Sequence, residues 1–396
     1  MKILIVTQFY YPERFSTSDI AEGLLKEGHD VTVLTGKPNY GYGRILEEYK
    51  HTRYEVINGV KVHRVNLRAR RQSRLSVIRN YLSFHRNAKR YVKKLDNDFD
   101  VVLSISLSPV ISIAPAIKYA KKHNVKHVLY CEDLWPESVT IAGAVRKNSL
   151  MYKILYKWSV SLYKKCDEII VSSPSFKDYF VNELHITDKK FVHINQPILN
   201  SKNEKINPIE YKHKHNLVYA GNIGELQNIN LLLDAMKLVK SEDTKLYLMG
   251  MGQRLNQVKA RIKSEHLEDK VEYVGAFPIE KAEEYFVNAD ALVVSLKNSG
   301  VVGKTIPNKA IQYMKYGRPI LGVLSGDGKD LLEKAKGSTF AGENAAEIAQ
   351  TIDELCKKTP SELNALGANN KRYFDENLSS EKLVRQFSNE LKESIK

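Results

Sequence analysis

Cysteine is scarce in this 396-residue chain: three residues, Cys131, Cys166 and Cys356, odd in number and far apart. Their spacing excludes a disulfide framework and a metal-binding cluster, and the expected compartment is a reducing one. Long apolar runs are absent too. No window approaches 18 uninterrupted apolar residues, so no membrane-spanning helix is expected. The opening Met1-Lys2-Ile3-Leu4-Ile5-Val6 is too short for a signal peptide and has no cleavage site; it is expected to be a buried first strand. There is no repeat with a period of 20–50 residues, and the Asp-x-Asp pairs at Asp96, Asp98 and Asp100 do not look like a metal grip. Acidic residues are missing from one long stretch. Lys61 to Lys94 holds twelve Lys/Arg and no Asp/Glu, within a chain of net charge +15. Such a surface suits nucleic acid, anionic lipid or a phosphorylated substrate, or is simply solvated.

What is present is an alternation of strands and helices, twice over. Apolar runs at 3–6, 31–34, 60–65, 101–105, 128–131 and 168–172 read as strands. Between them, 17–27, 75–95, 111–122 and 149–165 read as helices, the first ending at Gly28. The stretch 195–216, with Pro197 and Pro208 among Asn, Lys and Glu, reads as a linker. A second series follows, with strands at 217–220, 245–249, 271–274, 291–295 and 319–323. Helices are expected at 231–240, 253–265, 280–288 and 308–316. The length also suits two domains. The fold class expected is α/β, with two doubly wound Rossmann-like domains and a ligand cleft at the carboxyl ends of their strands. The expected domains are residues 1–196 and 197–375, with a C-terminal helix at 376–396 packing back on the first.

Candidate chemistry sits at strand ends. Gly221-Asn222-Ile223-Gly224 follows the first strand of the second half, and Gly250-Met251-Gly252 ends its neighbour. Glycine lets a backbone approach phosphate closely, although a plain strand-to-helix turn reads the same way. Gly303-Lys304-Thr305-Ile306-Pro307-Asn308-Lys309 opens a helix, with Pro307 in the first turn and Thr305 or Ile306 near the N-cap. Lys304 and Lys309 add charge suited to a diphosphate. In the first half, Phe9-Tyr10-Tyr11-Pro12-Glu13-Arg14-Phe15-Ser16 suits a sugar-facing loop. Asp133-Leu134-Trp135-Pro136-Glu137 offers carboxylates and an indole; alternatively, the Trp fills a domain surface.

In combination and order, these segments resemble the family 4 glycosyltransferases of the GT-B type. The branch indicated includes bacterial O-antigen and capsule transferases such as L-fucosamine transferases. The resemblance covers nearly the whole chain. It runs through Tyr11-Pro12-Glu13, the segment 27–35, Pro38-Asn39-Tyr40, Asp133 to Glu137, Tyr219 to Gly224, and Pro307-Asn308-Lys309 leading to Tyr316-Gly317-Arg318-Pro319. It implies a retaining transfer without metal or other cofactor, from a nucleotide-sugar. The implied donor is UDP-linked, with an N-acetylated amino sugar as one possibility. The implied acceptor is a polyprenyl-diphosphate-linked oligosaccharide.

On that basis Asp133, Glu137 and Lys304 are the candidate catalytic residues. Gly221, Asn222, Gly224, Gly250, Gly252, Pro307, Asn308, Lys309 and Gln312 are donor candidates. Tyr11, Glu13, Ser16, Asn39, Tyr40 and Trp135 are acceptor candidates. The chain departs from the family in two places. Lys304 and Gln312 stand where two glutamates eight positions apart are usual, and Asn222 with Gln227 or Asn228 replaces the usual Arg and Lys.

The basic stretch then has a use. On a helical wheel Arg79, Arg86, Arg90 and Lys93 fall on one face, with Leu75, Ile78, Leu82 and Val92 nearer the other; Arg70, Arg71 and Arg74 extend the patch. Peripheral attachment to an anionic inner membrane leaflet, on the cytoplasmic side, is expected, with no nucleic-acid partner. Competing readings are a GT-B nucleotide-sugar 2-epimerase, a nucleic-acid-binding protein and a non-catalytic homologue.

Overall fold

The computed structural model describes all residues except Arg14, Gln72, Asn97, Ala142 and 199–204. It divides into two compact units: Met1–Leu199 with Ser380–Lys396, and Asn200–Ser379. The middle of the expected linker therefore lies outside the described residues, as does Arg14 of the first loop.

The first unit holds an eight-stranded sheet. Its strands are β1 (Lys2–Val6), β2 (Asp30–Gly36), β3 (Tyr54–Ile57), β4 (Val60–Val65), β5 (Val101–Ser106), β6 (Lys126–Cys131), β7 (Glu168–Val171) and β8 (Lys190–His193). Their order is β3-β4-β2-β1-β5-β6-β7-β8. All neighbours pair in parallel except the β3–β4 hairpin. The two-residue period of a strand explains why β1 is apolar throughout. Ile3 and Ile5 face a core shared with Ile20 and Leu24 of α1 (Ser16–Lys26) and with Leu383, Phe387 and Leu391. Leu4 and Val6 face the opposite core, against Phe84 and Ala88 of α2 (Arg74–Tyr91). The C-terminal helix Ser380–Ser394 thus belongs to the first unit. His29 and Ser388 share a buried hydrogen bond of 2.7 Å across that contact.

The second unit is a six-stranded parallel sheet. It contains β9 (His215–Ala220), β10 (Thr244–Met249), β11 (Val271–Gly275), β12 (Ala291–Ser295), β13 (Ile320–Val323) and β14 (Ser338–Phe340), in the order β11-β10-β9-β12-β13-β14. Leu217, Tyr219, Leu246 and Leu248 pack on Leu232, Leu233 and Met236 of the helix Ile229–Leu238. The strand order reverses direction at β1/β5 in the first unit and at β9/β12 in the second. In each unit the loops at the carboxyl ends of these strands are the ones that meet a ligand in doubly wound sheets.

Candidate functional site

In the second unit the two glycine turns are packed on one another. Gly221 N–H donates to the Met249 carbonyl at 3.0 Å and Ile223 N–H to that of Met251 at 2.7 Å. A Cβ on Gly250 would lie 1.8 Å from the Gly221 oxygen, and one on Gly252 2.2 Å from the Ile223 oxygen. Gly221 and Gly250 also have φ of +141° and +126°. Both glycines of the β10 end are therefore required by contact between turns, whatever else they do. Two tyrosines brace the same place. The Tyr219 hydroxyl donates to the Asn222 carbonyl at 2.6 Å, and that of Tyr313 donates to the Ala220 carbonyl and accepts from its N–H. Asn222 donates to the Gln227 side chain at 3.0 Å, close against Gly224.

Into this turn reaches Lys309. Its Nζ lies 3.7 Å from the centroid of the Tyr219 ring and 2.8 Å from where a Cβ on Gly221 would be. The stem keeps some exposure, but the Nζ is out of contact with solvent and has no hydrogen-bond partner. Burial lowers its pKa from 10.5 to about 7. An ammonium held only by a π-face is short of the anion it could bind. The Asn308 Oδ1 beside it is likewise buried without a partner. The helix they start, Asn308–Met314, is capped by Pro307 with no side-chain bond, so the N-cap lies beyond Thr305 and Ile306 and Pro307 precedes the first turn. Lys304 is exposed, in a 3-10 turn whose backbone presses on Gly326. Gln312, half-buried, hydrogen-bonds the Tyr316 hydroxyl.

In the first unit the carboxyl ends of β6 and β8 and the start of α1 meet. Ser16 Oγ donates to Glu132 Oε1 at 2.7 Å, and Gln196 Nε2 to Ser16 Oγ at 3.2 Å. Glu132 Oε2 is buried with no partner. Burial pushes Glu132 up to about 7, against the pull of its Ser16 and Gln196 bonds. Burial also pushes Asp133 up to about 7, offset in part by the Ser138 and Ser108 hydroxyls and the Leu134 amide. Two adjacent carboxyls titrating near neutrality at a sheet's carboxyl edge can exchange protons with a hydroxylated ligand. Nothing in the sequence alone marks Glu132 or Gln196 as site residues, beyond the place of Glu132 as the first residue past β6.

Other expected site residues have structural partners. Glu137 is turned onto its own unit, where its Oε1 accepts from Tyr152 at 2.7 Å and Tyr179 at 3.4 Å, with Lys147 at 3.8 Å. Trp135 is 8% exposed, and its indole N–H donates to Ser108 at 2.9 Å. Glu13, buried, accepts from the amides of Asn39 and Tyr40. Asn39, fully buried, accepts from Arg70 N–H and Asn80 Nδ2. These residues shape the loops around the edge. Tyr40 is exposed and packs edge-on to Phe9 and Phe15. Tyr11 gives its carbonyl to the buried Arg64.

The basic helix differs from expectation. Its buried residues are Asn80, Phe84 and Ala88. Leu75, Ile78 and Leu82 are exposed along with Arg74, Arg79, Arg86, Lys89 and Arg90, so cations and aliphatics share one outward face. At 3.6 residues per turn Leu75, Ile78 and Leu82 fall in the same sector of the helix as Arg79, Arg86 and Arg90, not opposite them. Arg70 is not part of that face. Its guanidinium lies over the rings of Tyr40 and Tyr81 and donates to the Tyr81 hydroxyl. Arg71 is exposed. No helix among the described residues is long and apolar enough to cross a membrane, and no group of three or more His, Cys, Asp or Glu among them could hold a metal.

Comparison with known proteins agrees with this layout. Residues 16–198 match Glycosyltransferase Family 4, and residues 214–358 match Glycosyl transferases group 1. The chain is 26% identical over 306 residues to the probable glycosyltransferase WbjE of Pseudomonas aeruginosa, covering 73% of each chain. It is 24% identical over 233 residues to the amylovoran biosynthesis glycosyltransferase AmsD of Erwinia amylovora, covering 59% of this chain and 60% of AmsD. Its fold matches sucrose-phosphate synthase of Thermosynechococcus elongatus with a TM-score of 0.74 at 15% identity, over 99% of this chain and 98% of that one. HepE of Anabaena in complex with UDP gives 0.71 at 12%, over 99% and 100%. With a family match in each unit and a shared two-unit α/β architecture, the chain belongs to the family 1/4 glycosyltransferases of the GT-B fold.

Proposed function

We propose that the protein moves a sugar, with retention of configuration, from a UDP-linked donor to a lipid-linked oligosaccharide in the synthesis of a bacterial surface polysaccharide. The observation that carries the donor side is Lys309: a buried, unpartnered amine at the carboxyl end of β9, pressed against a glycine turn. A diphosphate oxygen is the partner that amine lacks, and cation stabilisation of the leaving diphosphate replaces a metal. Lys309 thereby stands in for the Arg and Lys that Asn222 and Gln227 or Asn228 displace. UDP in HepE supports uracil as the donor's base, and the name of AmsD, an amylovoran biosynthesis glycosyltransferase, supports a polysaccharide product. Asp133 and Glu132 receive the acceptor hydroxyl. An N-acetylated amino sugar fits the fucosamine-transferase resemblance. The cations and aliphatics on the outward face of α2 support attachment to the inner leaflet.

The test is a screen of UDP-, GDP- and dTDP-sugars with a polyprenyl-diphosphate-linked acceptor, read by mass spectrometry, with the anomer of the product assigned by NMR. One UDP-sugar is expected to transfer with retention. Conversion of a UDP-sugar to its epimer without acceptor would overturn the transferase reading. Transfer is expected to survive EDTA; complete loss on chelation, restored by Mn²⁺ or Mg²⁺, would sink the metal-free mechanism.

A further inference from the structure

A groove of ≈ 540 Å³ runs along α2 in the first unit. Arg68, from the segment after β4, forms one wall; Arg79, Leu82, Arg86 and Arg90 of α2 form the other. Two hydrogen bonds fasten the walls together. Arg68 N–H donates to Ser83 Oγ at 2.8 Å, and Asn87 Nδ2 donates to the Asn66 carbonyl at 2.7 Å. The groove is therefore a fixed shape rather than a fringe of side chains.

Its charge is uncompensated. The arginine ion pairs among the described residues are those of Arg64, Arg254, Arg261 and Arg385; none of the four groove arginines has one. Four arginines and no carboxylate line the groove, a surface that favours an anion. The planar guanidinium fork matches phosphate oxygens in pairs, which distinguishes an arginine pocket from a lysine fringe.

Beside the groove is an aliphatic ridge. Leu75, Ile78 and Leu82 are 55%, 52% and 50% exposed on the outward side of α2. The helix Leu150–Tyr163 also exposes apolar residues, Leu150, Met151, Ile154 and Trp158, and carries Lys153 and Lys157 and no acidic residue. Both helices pack on the 3-10 turn Val110–Ile113, so they are neighbours on one side of the unit. A nucleic acid would fill the arginines but leave the aliphatic ridge bare, and stacking rings are not interleaved with these cations. A phosphate joined to hydrocarbon uses both.

We propose that this groove binds the phosphate headgroup of an anionic membrane lipid, with Leu75, Ile78 and Leu82 set among the acyl chains. This rests on the membrane placement proposed above and gives it a defined site instead of a diffuse attraction. The test needs no transfer activity, so it is independent of the enzymatic reading. The full chain is sedimented with vesicles of phosphatidylcholine alone, or of equal parts phosphatidylcholine and phosphatidylglycerol. Pelleting is expected only with the second. The triple variant Arg79→Lys, Arg86→Lys, Arg90→Lys keeps every charge but loses the paired geometry, and a drop of about tenfold in vesicle affinity is expected. Ile78→Ser with Leu82→Ser is expected to weaken binding at unchanged charge. Melting temperature and circular dichroism report folding of the variants. Equal pelleting of the lysine variant and the wild type would reduce the groove to bare charge and overturn the site. Failure of the wild type to pellet, or binding of inorganic phosphate without binding of vesicles, would overturn the lipid.

Discussion

Replacing Lys309 by Met is expected to lower kcat/KM for the donor by about 10²–10³ while raising the melting temperature. Both effects have the same origin. The Nζ is buried with no partner and burial lowers its pKa to about 7. Above that pH the folded protein holds a neutral amine where the unfolded chain still carries a proton, up to the ordinary 10.5. Stability therefore rises with pH between about 7 and 10.5, and the full cost of the buried charge is carried below 7. At about 1.4 kcal/mol per unit, that cost is several kcal/mol. Lys309→Met removes it. Calorimetry is expected to show the variant more stable than wild type at pH 6, with the difference vanishing toward pH 10. Donor affinity moves the other way. A diphosphate favours the ammonium, so binding above pH 7 takes up a proton, and wild-type affinity should fall as pH rises past 7. The variant should bind weakly with no such slope. A wild-type donor affinity and a wild-type pH profile in Lys309→Met would remove Lys309 from the site.

The sequence revealed the double α/β series because buried parallel strands must be apolar on both faces. Val60–Val65 and Ala291–Ser295 lie where their apolar residues indicated, and most other elements differ by a residue or two at the ends. Three edge strands, β3, β8 and β14, did not stand out, being three or four residues long and only partly buried. For β3 a signal existed: Asn58-Gly59, with φ of 49° and 85°, is the pair that closes a two-residue hairpin. Glycines and cations at strand ends pointed to the second unit's site, but composition cannot tell which cation is buried. Lys304 and Lys309 look equivalent in the sequence; in the fold one is exposed and the other lies over Tyr219. The carboxylates show the same limit. Glu137 and Glu13 have the residue type a sugar site needs, yet both hold their own backbone or tyrosines. Glu132 went unnoticed because its chemistry comes from burial and from Ser16, 116 residues away.

Asp133→Asn is expected to lower transfer by about 10²–10⁴ with the fold intact, the range for loss of a group that takes a proton from a reacting hydroxyl. Asp133 and Glu132 are both raised by burial to about 7, from 3.8 and 4.5. The sign for stability follows. Below pH 4 both groups are protonated in either state and their contribution is intact; as pH climbs to about 7 the unfolded chain ionises first and stability is lost. Asp133→Asn removes its share of that loss, so the variant should melt above the wild type at pH 8 and with it at pH 4. For catalysis the ionised form is the useful one, so the wild-type rate should rise with pH through about 7. Deprotonation of Lys309 opposes this rise from the donor side. The two together give a bell-shaped kcat/KM profile centred near neutrality. Asp133→Asn should erase the acid limb and Lys309→Met the alkaline one. Glu132→Gln should preserve the Ser16 contact and reduce transfer less. Glu137→Gln should spare transfer and lower the melting temperature, because Tyr152 and Tyr179 lose a charged acceptor. If Asp133→Asn and Glu132→Gln both transfer sugar at the wild-type rate with an unchanged acid limb, the β6 edge only supports the loops, and the acceptor's proton must leave by another group.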